Sequence, residues 1–254
     1  LARPAPAPQA LLRIGNQPQA MIARPTILIT GATKGIGRAL VQRFAASAGE
    51  LHLVARNARD LESLQKKLRS DDCSVHVYPA DLSKPEEVTA LVDSLRSNMD
   101  ALHLLINNAG VYLPGQLLSE PAGNMDYMMQ LNVLSHYELV RGLHGKMPVG
   151  SHLIHMASVA SRKLFTGKPS YSISKHAQGA LTEAFRHELR PLGIRVTNVM
   201  PGPTWSASWE GVEFPENRLL DAKHIAEAVW QAWQLPPEAV MEELVIRPFE
   251  GDID

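Results

Sequence analysis

Short apolar runs alternate with helical periods from residue 25 onward, and no other feature limits the possible folds so sharply. Thr26-Ile27-Leu28-Ile29-Thr30 reads as a strand buried on both faces, because its apolar core shows no polar alternation. A glycine-rich stretch follows, then a helix that carries Ile36, Leu40, Val41 and Phe44 on one face. The same unit recurs. Strands are expected over 51–55, 74–78, 102–107, 151–157, 194–200 and 243–247, with helices over about 58–69, 123–144, 170–190 and 221–233. Another helix opens at Ser83-Lys84-Pro85-Glu86. Ser83 is its expected cap, Glu86 reaches back as the capping-box partner, and Pro85 sits early, where a missing N–H costs nothing. Single helices between strands make βαβ units, and right-handed crossovers then give a parallel sheet covered on both faces. The pattern predicts one doubly wound α/β domain over 25–254, with ligands at the carboxyl ends of the strands.

Composition removes whole classes of function. Lys and Arg number 25 against 26 Asp and Glu, so there is no excess of positive charge to hold nucleic acid. No apolar run approaches the ~18–20 residues of a membrane span. Cys73 is the only cysteine, which rules out an internal disulfide and makes a reducing compartment, the cytoplasm, the expected location. Residues 1–24 stand apart: they are rich in Ala, Pro and Gln, hold no acidic residue, and lack the apolar core of a secretory signal. They are expected to be a disordered extension or an added leader ahead of a natural start at Met21.

Thr30-Gly31-Ala32-Thr33-Lys34-Gly35-Ile36-Gly37 joins the first strand to the first helix. Gly31 permits the tight exit from the strand, Gly35 lets the backbone approach a pyrophosphate, and Gly37 allows close packing of the helix. The helix N-terminus adds free N–H groups and a favourable dipole. The G-x3-G-x-G spacing is one residue longer than the dinucleotide fingerprint, and an ordinary βα turn is the alternative. The strand before and the helix after favour nucleotide binding. NAD sites carry an acid near the tip of the second strand, to hold the ribose 2′-hydroxyl. Here that tip is Val54-Ala55-Arg56-Asn57, without an acid. Arg56 can pair with a 2′-phosphate and Lys34 adds a second positive charge, so NADP(H) is favoured over NAD.

Tyr171-Ser172-Ile173-Ser174-Lys175 falls on the long helix after the fifth strand. Positions i and i+4 share a helical face, so the hydroxyl and the ammonium can meet. A phenol titrates near ~10 and shuttles protons poorly at neutrality; a nearby ammonium is expected to lower that value. Ser158 closes His155-Met156-Ala157-Ser158, at a carboxyl strand end. There it can hold a carbonyl oxygen that Tyr171 protonates, or cap a turn. Asn132 is polar within an apolar helix face, so it must tie up backbone or order water, and such water could pass protons to Lys175.

In their order, the 30–37 loop, Asp81, Asn107-Asn108-Ala109-Gly110, Asn132, Ser158, Tyr171, Lys175 and Pro201-Gly202 resemble the short-chain dehydrogenase/reductases, over roughly residues 25–247. The resemblance implies a single-domain Rossmann-type fold and hydride transfer between NADP(H) and a small-molecule carbonyl or secondary alcohol. It implies Tyr171 as general acid/base, with Lys175 lowering its pKa and holding the nicotinamide ribose. Ser158 would orient the substrate and Asn132 would support a proton relay. Cofactor contacts are implied for Gly31, Thr33, Lys34, Gly35, Ile36, Gly37 and Arg56, and for Asp81 and Leu82, with Asp81 on the adenine. They are implied also for Asn108, Ala109 and Gly110 beside Asn107, and for Tyr171, Lys175, Pro201, Gly202 and Thr204 at the nicotinamide end. The helices over 123–144 and 170–190 resemble those the family packs into a homodimer or homotetramer. The chain's last residues lack the glycine-rich ending of acyl-carrier-protein ketoreductases and are more similar to carbonyl reductases, sepiapterin-reductase-like enzymes among them. A pteridine-type ketone reductase is therefore a second reading, and a non-catalytic NADP-sensing protein a third.

Other reactive side chains read as structural. His152 and His155 lie three apart on a strand and face opposite ways, so no metal site is expected. Cys73 is expected to be inert. Trp230 and Trp233 read as helix packing. Trp205 and Trp209 follow Pro201-Gly202 in the stretch expected to set specificity. With Tyr112, Phe165 and Phe214 they form an aromatic wall for a flat or bulky substrate, or else anchor the loop.

Overall fold

Ile27, Leu28 and Ile29 are fully buried, as an unalternating apolar run demands, and β1 (Thr26–Thr30) is an interior strand of the sheet. The computed structural model describes residues 24–205 and 218–252. The expected 1–24 extension thus lies outside the described residues, save Arg24. Six more strands follow: β2 (Glu50–Ala55), β3 (Ser74–Pro79), β4 (Leu104–Asn107), β5 (His152–Met156), β6 (Arg195–Pro201) and β7 (Glu243–Ile246). All pair in parallel, in the order β3-β2-β1-β4-β5-β6-β7.

Alternation within the strands divides the core between two layers. Ile27, Ile29, Leu51 and Leu53 point to α1 (Gly35–Phe44), α2 (Ala58–Leu68) and α7 (Ala222–Gln234). Leu28, Val54, Leu105 and Leu153 point to the opposite layer, built by α3 (Pro85–Asn98), α5 (Ser135–Leu143) and α6 (Pro169–Leu189). The chain winds outward from β1 to β3, then returns to the other side of β1 with β4. That reversal opens a crevice at the carboxyl ends of β1 and β4, where doubly wound sheets bind ligands. No described helix is long and apolar enough to cross a membrane.

Three local expectations need correction. The helix expected over 123–144 is broken: α4 (Asn124–Met129) runs into a π-helical turn (Gln130–Leu134) before α5 resumes. Ser135 Oγ donates to the Leu131 carbonyl at 2.7 Å within this turn. The third helix is capped one residue later than expected, at Lys84, so that Glu87 rather than Glu86 stands at the third helical position. Glu87 accepts from the Asp81 backbone N–H at 2.7 Å, and Ser83 donates to Asp81 instead of capping. Strand β4 starts at Leu104 rather than 102; His103 just before it still bonds both neighbours, its N–H donating to the Thr26 carbonyl and its carbonyl accepting from His152 N–H, each at 3.0 Å, while its ring accepts from Thr26 N–H at 3.0 Å.

Candidate active site

Strands β1 to β6 deliver residues to one cleft of about 670 Å³ at the carboxyl edge of the sheet. Gly31, Thr33 and Lys34 come from the loop after β1, and Gly35, Ile36 and Gly37 from the start of α1. Arg56 follows β2, Asp81 and Leu82 follow β3, and Asn108, Ala109 and Gly110 follow β4. Tyr171 and Lys175 reach in from α6, and Pro201 and Thr204 from the end of β6. The small apolar residues Val54, Ala55, Ala80, Met156 and Ala157 also line it. Sequence reasoning passed over them because such residues at strand ends look like core; their signal is adjacency to a motif residue.

Four residues foreseen at the cleft are not among those that line it: Asn132 and Ser158, which stand just behind Tyr171 and Lys175, and Gly202 and Asn107. Gly202 turns away: its N–H donates to the Ile246 carbonyl at 2.7 Å, and a Cβ there would meet Pro248 and Asp252. Asn107 is fully buried and its amide meets the His155 ring at 3.1 Å, so it braces β4 against β5 behind the cleft.

The glycine loop is shaped by contact. Gly31 and Gly35 take φ of +66° and +50°, in the left-handed region that favours glycine. A Cβ on Gly37 would overlap the Gly31 carbonyl oxygen. Asn108 fixes the loop from the side: its Nδ2 donates to the Thr30 carbonyl at 2.9 Å, while Thr30 Oγ1 accepts from the N–H groups of Asn108 and Ala109. No side chain caps α1 and no acid stands in its first turn, so its N-terminal N–H groups and dipole face the cleft unopposed. The cradle fits a phosphate-bearing cofactor. Lys34 and Arg56 add two positive charges at this end. Asp81 Oδ1 accepts from the Ser83 N–H and hydroxyl. Burial pushes the Asp81 carboxyl up, but these bonds and the charges of Arg56 and Lys84 outweigh it and hold the carboxyl below its ordinary pKa.

Tyr171, Ser158, Lys175 and Asn132 converge at the other end. Ser158 Oγ accepts from Ala160 N–H at 3.1 Å, capping the short turn after β5, and Ser158 stands beside Tyr171, where its hydroxyl favours the charged phenol. The capping reading and the site reading are thus both true of it. Asn132 realises the backbone alternative. Its Oδ1 accepts from Val111 N–H at 2.8 Å, and its Nδ2 donates to the Val111 carbonyl and to Ser174 Oγ, each at 3.0 Å. The π-helical turn aims it there. Lys175 is buried, with Nζ donating to Gln178 Oε1 at 2.8 Å and to the Met156 carbonyl at 3.3 Å.

The electrostatics overturn one expectation. Burial pushes the Tyr171 phenol above its usual value; the Ser158 hydroxyl works against this, and Tyr112 adds to it. Lys175 does not lower it in this geometry, because Nζ lies 5.8 Å from the ring centroid and is engaged elsewhere. Burial brings Lys175 itself down to about 7.

The remaining candidates divide. Tyr112 stands edge-on to Tyr171, with centroids 5.2 Å apart, and lines the cleft. Phe165 is buried behind Tyr171 rather than forming a wall, and Trp205 is exposed. Trp209 and Phe214 lie outside the described residues. Trp230 packs edge-on against Phe44, and Trp233 against His152, on the α7 side of the sheet. His155 points the other way, to Thr182 of α6. Cys73 is buried, and burial raises its thiol pKa. One cluster went unforeseen: the ligating atoms of Glu50, His52 and His76 lie within 4.8 Å of one another at the amino ends of β2 and β3. The two rings stack with planes 18° apart, so their nitrogens do not converge on one ion. His52 also meets Tyr78 Oη at 3.0 Å.

Comparison with known proteins gives one answer. The family model for short chain dehydrogenase matches residues 25–214. The sepiapterin reductase of Chlorobaculum tepidum is 33% identical over 237 residues, spanning 89% of this chain and 97% of the relative. Among solved structures, the short-chain dehydrogenase from Sphingobium yanoikuyae in complex with NADPH has a TM-score of 0.75 at 29% identity, covering 89% of this chain and 88% of its own. L-sorbose reductase from Gluconobacter frateurii, complexed with NADPH and L-sorbose, has a TM-score of 0.81 at 23% identity, covering 89% and 96%, and shares the fold. The match spans the glycine cradle, the Ser158–Tyr171–Lys175 cluster and the sheet that joins them: the chain belongs to the short chain dehydrogenase family.

Proposed function

We propose that this chain is an NADP(H)-dependent oxidoreductase that interconverts a carbonyl and a secondary alcohol, with Tyr171 as general acid/base. The observation that carries the reading is that Tyr171 and buried Lys175, with Ser158 beside Tyr171, stand at one end of a cleft whose other end is a phosphate cradle. The NADPH-bound relative from Sphingobium yanoikuyae supports the cofactor, and Lys34 and Arg56 supply charge for its 2′-phosphate. Bound there, the cofactor would supply or accept the hydride.

The protein's own part is positioning and proton transfer. Gly31, Gly35, Gly37 and the α1 N-terminus would hold the pyrophosphate, with Thr33 and Ile36 beside them. Asp81 and Leu82 would flank the adenine. Asn108, Ala109 and Gly110 would form the floor, and Pro201 and Thr204 the nicotinamide end. Ser158 would orient the carbonyl oxygen and Tyr171 would protonate it. A phenol held above its usual pKa keeps its proton at neutrality, which suits the reducing direction. Asn132, by clamping Val111, would keep the floor and the proton relay in register.

The kinship with a sepiapterin reductase favours a second, narrower reading, a flat bicyclic ketone seated against Tyr112. An NADPH-oxidation screen with sepiapterin, simple diketones and aromatic ketones separates the readings; cofactor binding without turnover on any of them would leave the sensing alternative. Tyr171→Phe is expected to lower turnover by at least about 100-fold while NADPH binds within about twofold of wild type. Retained turnover in the folded variant removes the assignment. Leu134, Tyr137 and Ile173 expose apolar surface on the helices near the site, in support of a homodimer or homotetramer. Light scattering on the purified chain checks the assembly.

A further inference from the structure

Behind Lys175 lies a chain of buried polar groups that the reaction as proposed does not call upon. Gln178 is fully buried one helical turn beyond Lys175, and His136 on α5 is fully buried as well. Gln178 Nε2 meets His136 Nδ1 at 3.0 Å, and His136 Nε2 meets the Ala109 carbonyl at 2.8 Å. A carbonyl only accepts, so His136 must carry its hydrogen on Nε2. In the neutral ring Nδ1 is then bare, and a bare nitrogen selects the NH₂ end of the Gln178 amide. That choice leaves Gln178 Oε1 facing Lys175, which donates to it at 2.8 Å.

We infer that Gln178 and His136 are positioning residues for Lys175: they form a one-way chain of donors, anchored on the Ala109 carbonyl, that fixes the direction of the ammonium from behind. Gln178 Oε1 and the Met156 carbonyl occupy two of its three N–H groups. The third is left for the cleft, where a Cβ on Gly110 would stand 3.6 Å from Nζ. The chain requires a neutral His136. A second ring proton would confront the amide NH₂ and turn Gln178 around, aiming NH₂ at Lys175. Burial, and then the Lys175 charge, bring His136 down to about 3, so it stays neutral at working pH. The titratable groups facing Lys175 are Tyr171 on its own helix, His136 from α5 and His155 from β5. None is a carboxylate. Acceptor dipoles are therefore what favours the ammonium against burial.

The inference rests on the proposed activity for what Lys175 does, but its first test does not. In ¹³C-lysine-labelled full chain, the Lys175 Cε signal, identified by its loss in Lys175→Met, reports the titration of the amine. Gln178→Met keeps the shape and removes the acceptor, and should lower the midpoint by at least about 0.5 pH unit. Gln178→Glu places a carboxylate on Nζ and should raise it by about 1 pH unit or more. His136→Phe frees the amide and should move the midpoint in the direction of Gln178→Met. Opposite shifts from two substitutions at one position are not what a packing role gives. In the kinetic arm, Gln178→Met should lower kcat about tenfold with little change in the KM for the carbonyl. Melting curves establish which variants fold; if Gln178→Met does not, Gln178→Glu and His136→Phe decide. Unmoved midpoints, or shifts of one sign for both Gln178 variants, overturn the inference. The expected shifts in a protein that turns over no carbonyl would uphold it and remove the reductase reading alone.

Discussion

At Gly37 a single methyl group would overlap the Gly31 carbonyl oxygen and stand 2.6 Å from the Asn108 amide. Neither neighbour can yield freely, since Asn108 is itself bonded to the Thr30 carbonyl. Gly37→Ala is therefore expected to weaken NADPH binding by at least about tenfold and to lower Tm, seen by fluorescence titration and calorimetry. Among the described residues Arg56 makes one long hydrogen bond, to Tyr127 Oη at 3.4 Å, so its guanidinium can meet a phosphate at little loss. Arg56→Ala should raise the Kd for NADPH about tenfold and leave that for NADH nearly unchanged, and an unaltered preference would discount its role. At this scale the sequence was most legible where chemistry has a fixed spacing, as at Tyr171 and Lys175. The direction of the Tyr171 pKa was not legible, because burial is no property of spacing. Gln178 and His136 escaped notice for another reason: they meet across 42 residues of chain.

Elements were legible where their apolar period runs unbroken. All seven strands and the long helix α6 stand within a few residues of their expected places. The π-helical turn at Gln130–Leu134 was hidden, since one wide turn leaves the apolar stripe on either side almost unaltered. Its effect on the fold is large. It carries Asn132 to the Val111 backbone, where one side chain matches both an N–H and a C=O. Asn132→Ala would leave both unmatched and is expected to lower stability by about 2–3 kcal/mol. Urea unfolding at fixed pH measures this, and an unchanged midpoint would show that the clamp is not needed. Ser135→Ala frees only the Leu131 carbonyl, with an expected loss of about 1 kcal/mol. The shifted cap of α3 shows a different limit: Pro85 marks the first turn, yet which acid reaches back depends on a one-residue offset.

Over the whole molecule, four buried histidines tie stability to pH. Burial, with His76 beside it, takes His52 to about 4. His136 sits at about 3, and burial holds His152 and His155 well below the ordinary value. Below the unfolded value of ~6.5 the unfolded chain takes up protons that the fold refuses, so stability is fully present above that pH and falls as pH drops from there toward 4. Each such histidine contributes a slope of up to about 1.4 kcal/mol per pH unit. Urea midpoints at pH 7, 6 and 5 should therefore drop steeply, and a flat series would refute the account. The doubly wound order was legible because strand and helix alternate so regularly, although no single strand announces its neighbours. That order has a consequence for how the molecule comes into being. β1 is made before every other strand of the sheet, yet it lies between β2 and β4, and its second edge stays open until Leu104–Asn107 has been synthesised. A nascent chain must carry Ile27, Leu28 and Ile29 unsheltered on one side through all of β2, α2, β3 and α3. Fragments released ahead of β4 are expected to aggregate, and those that include it to remain dispersed, when sedimented after translation in vitro.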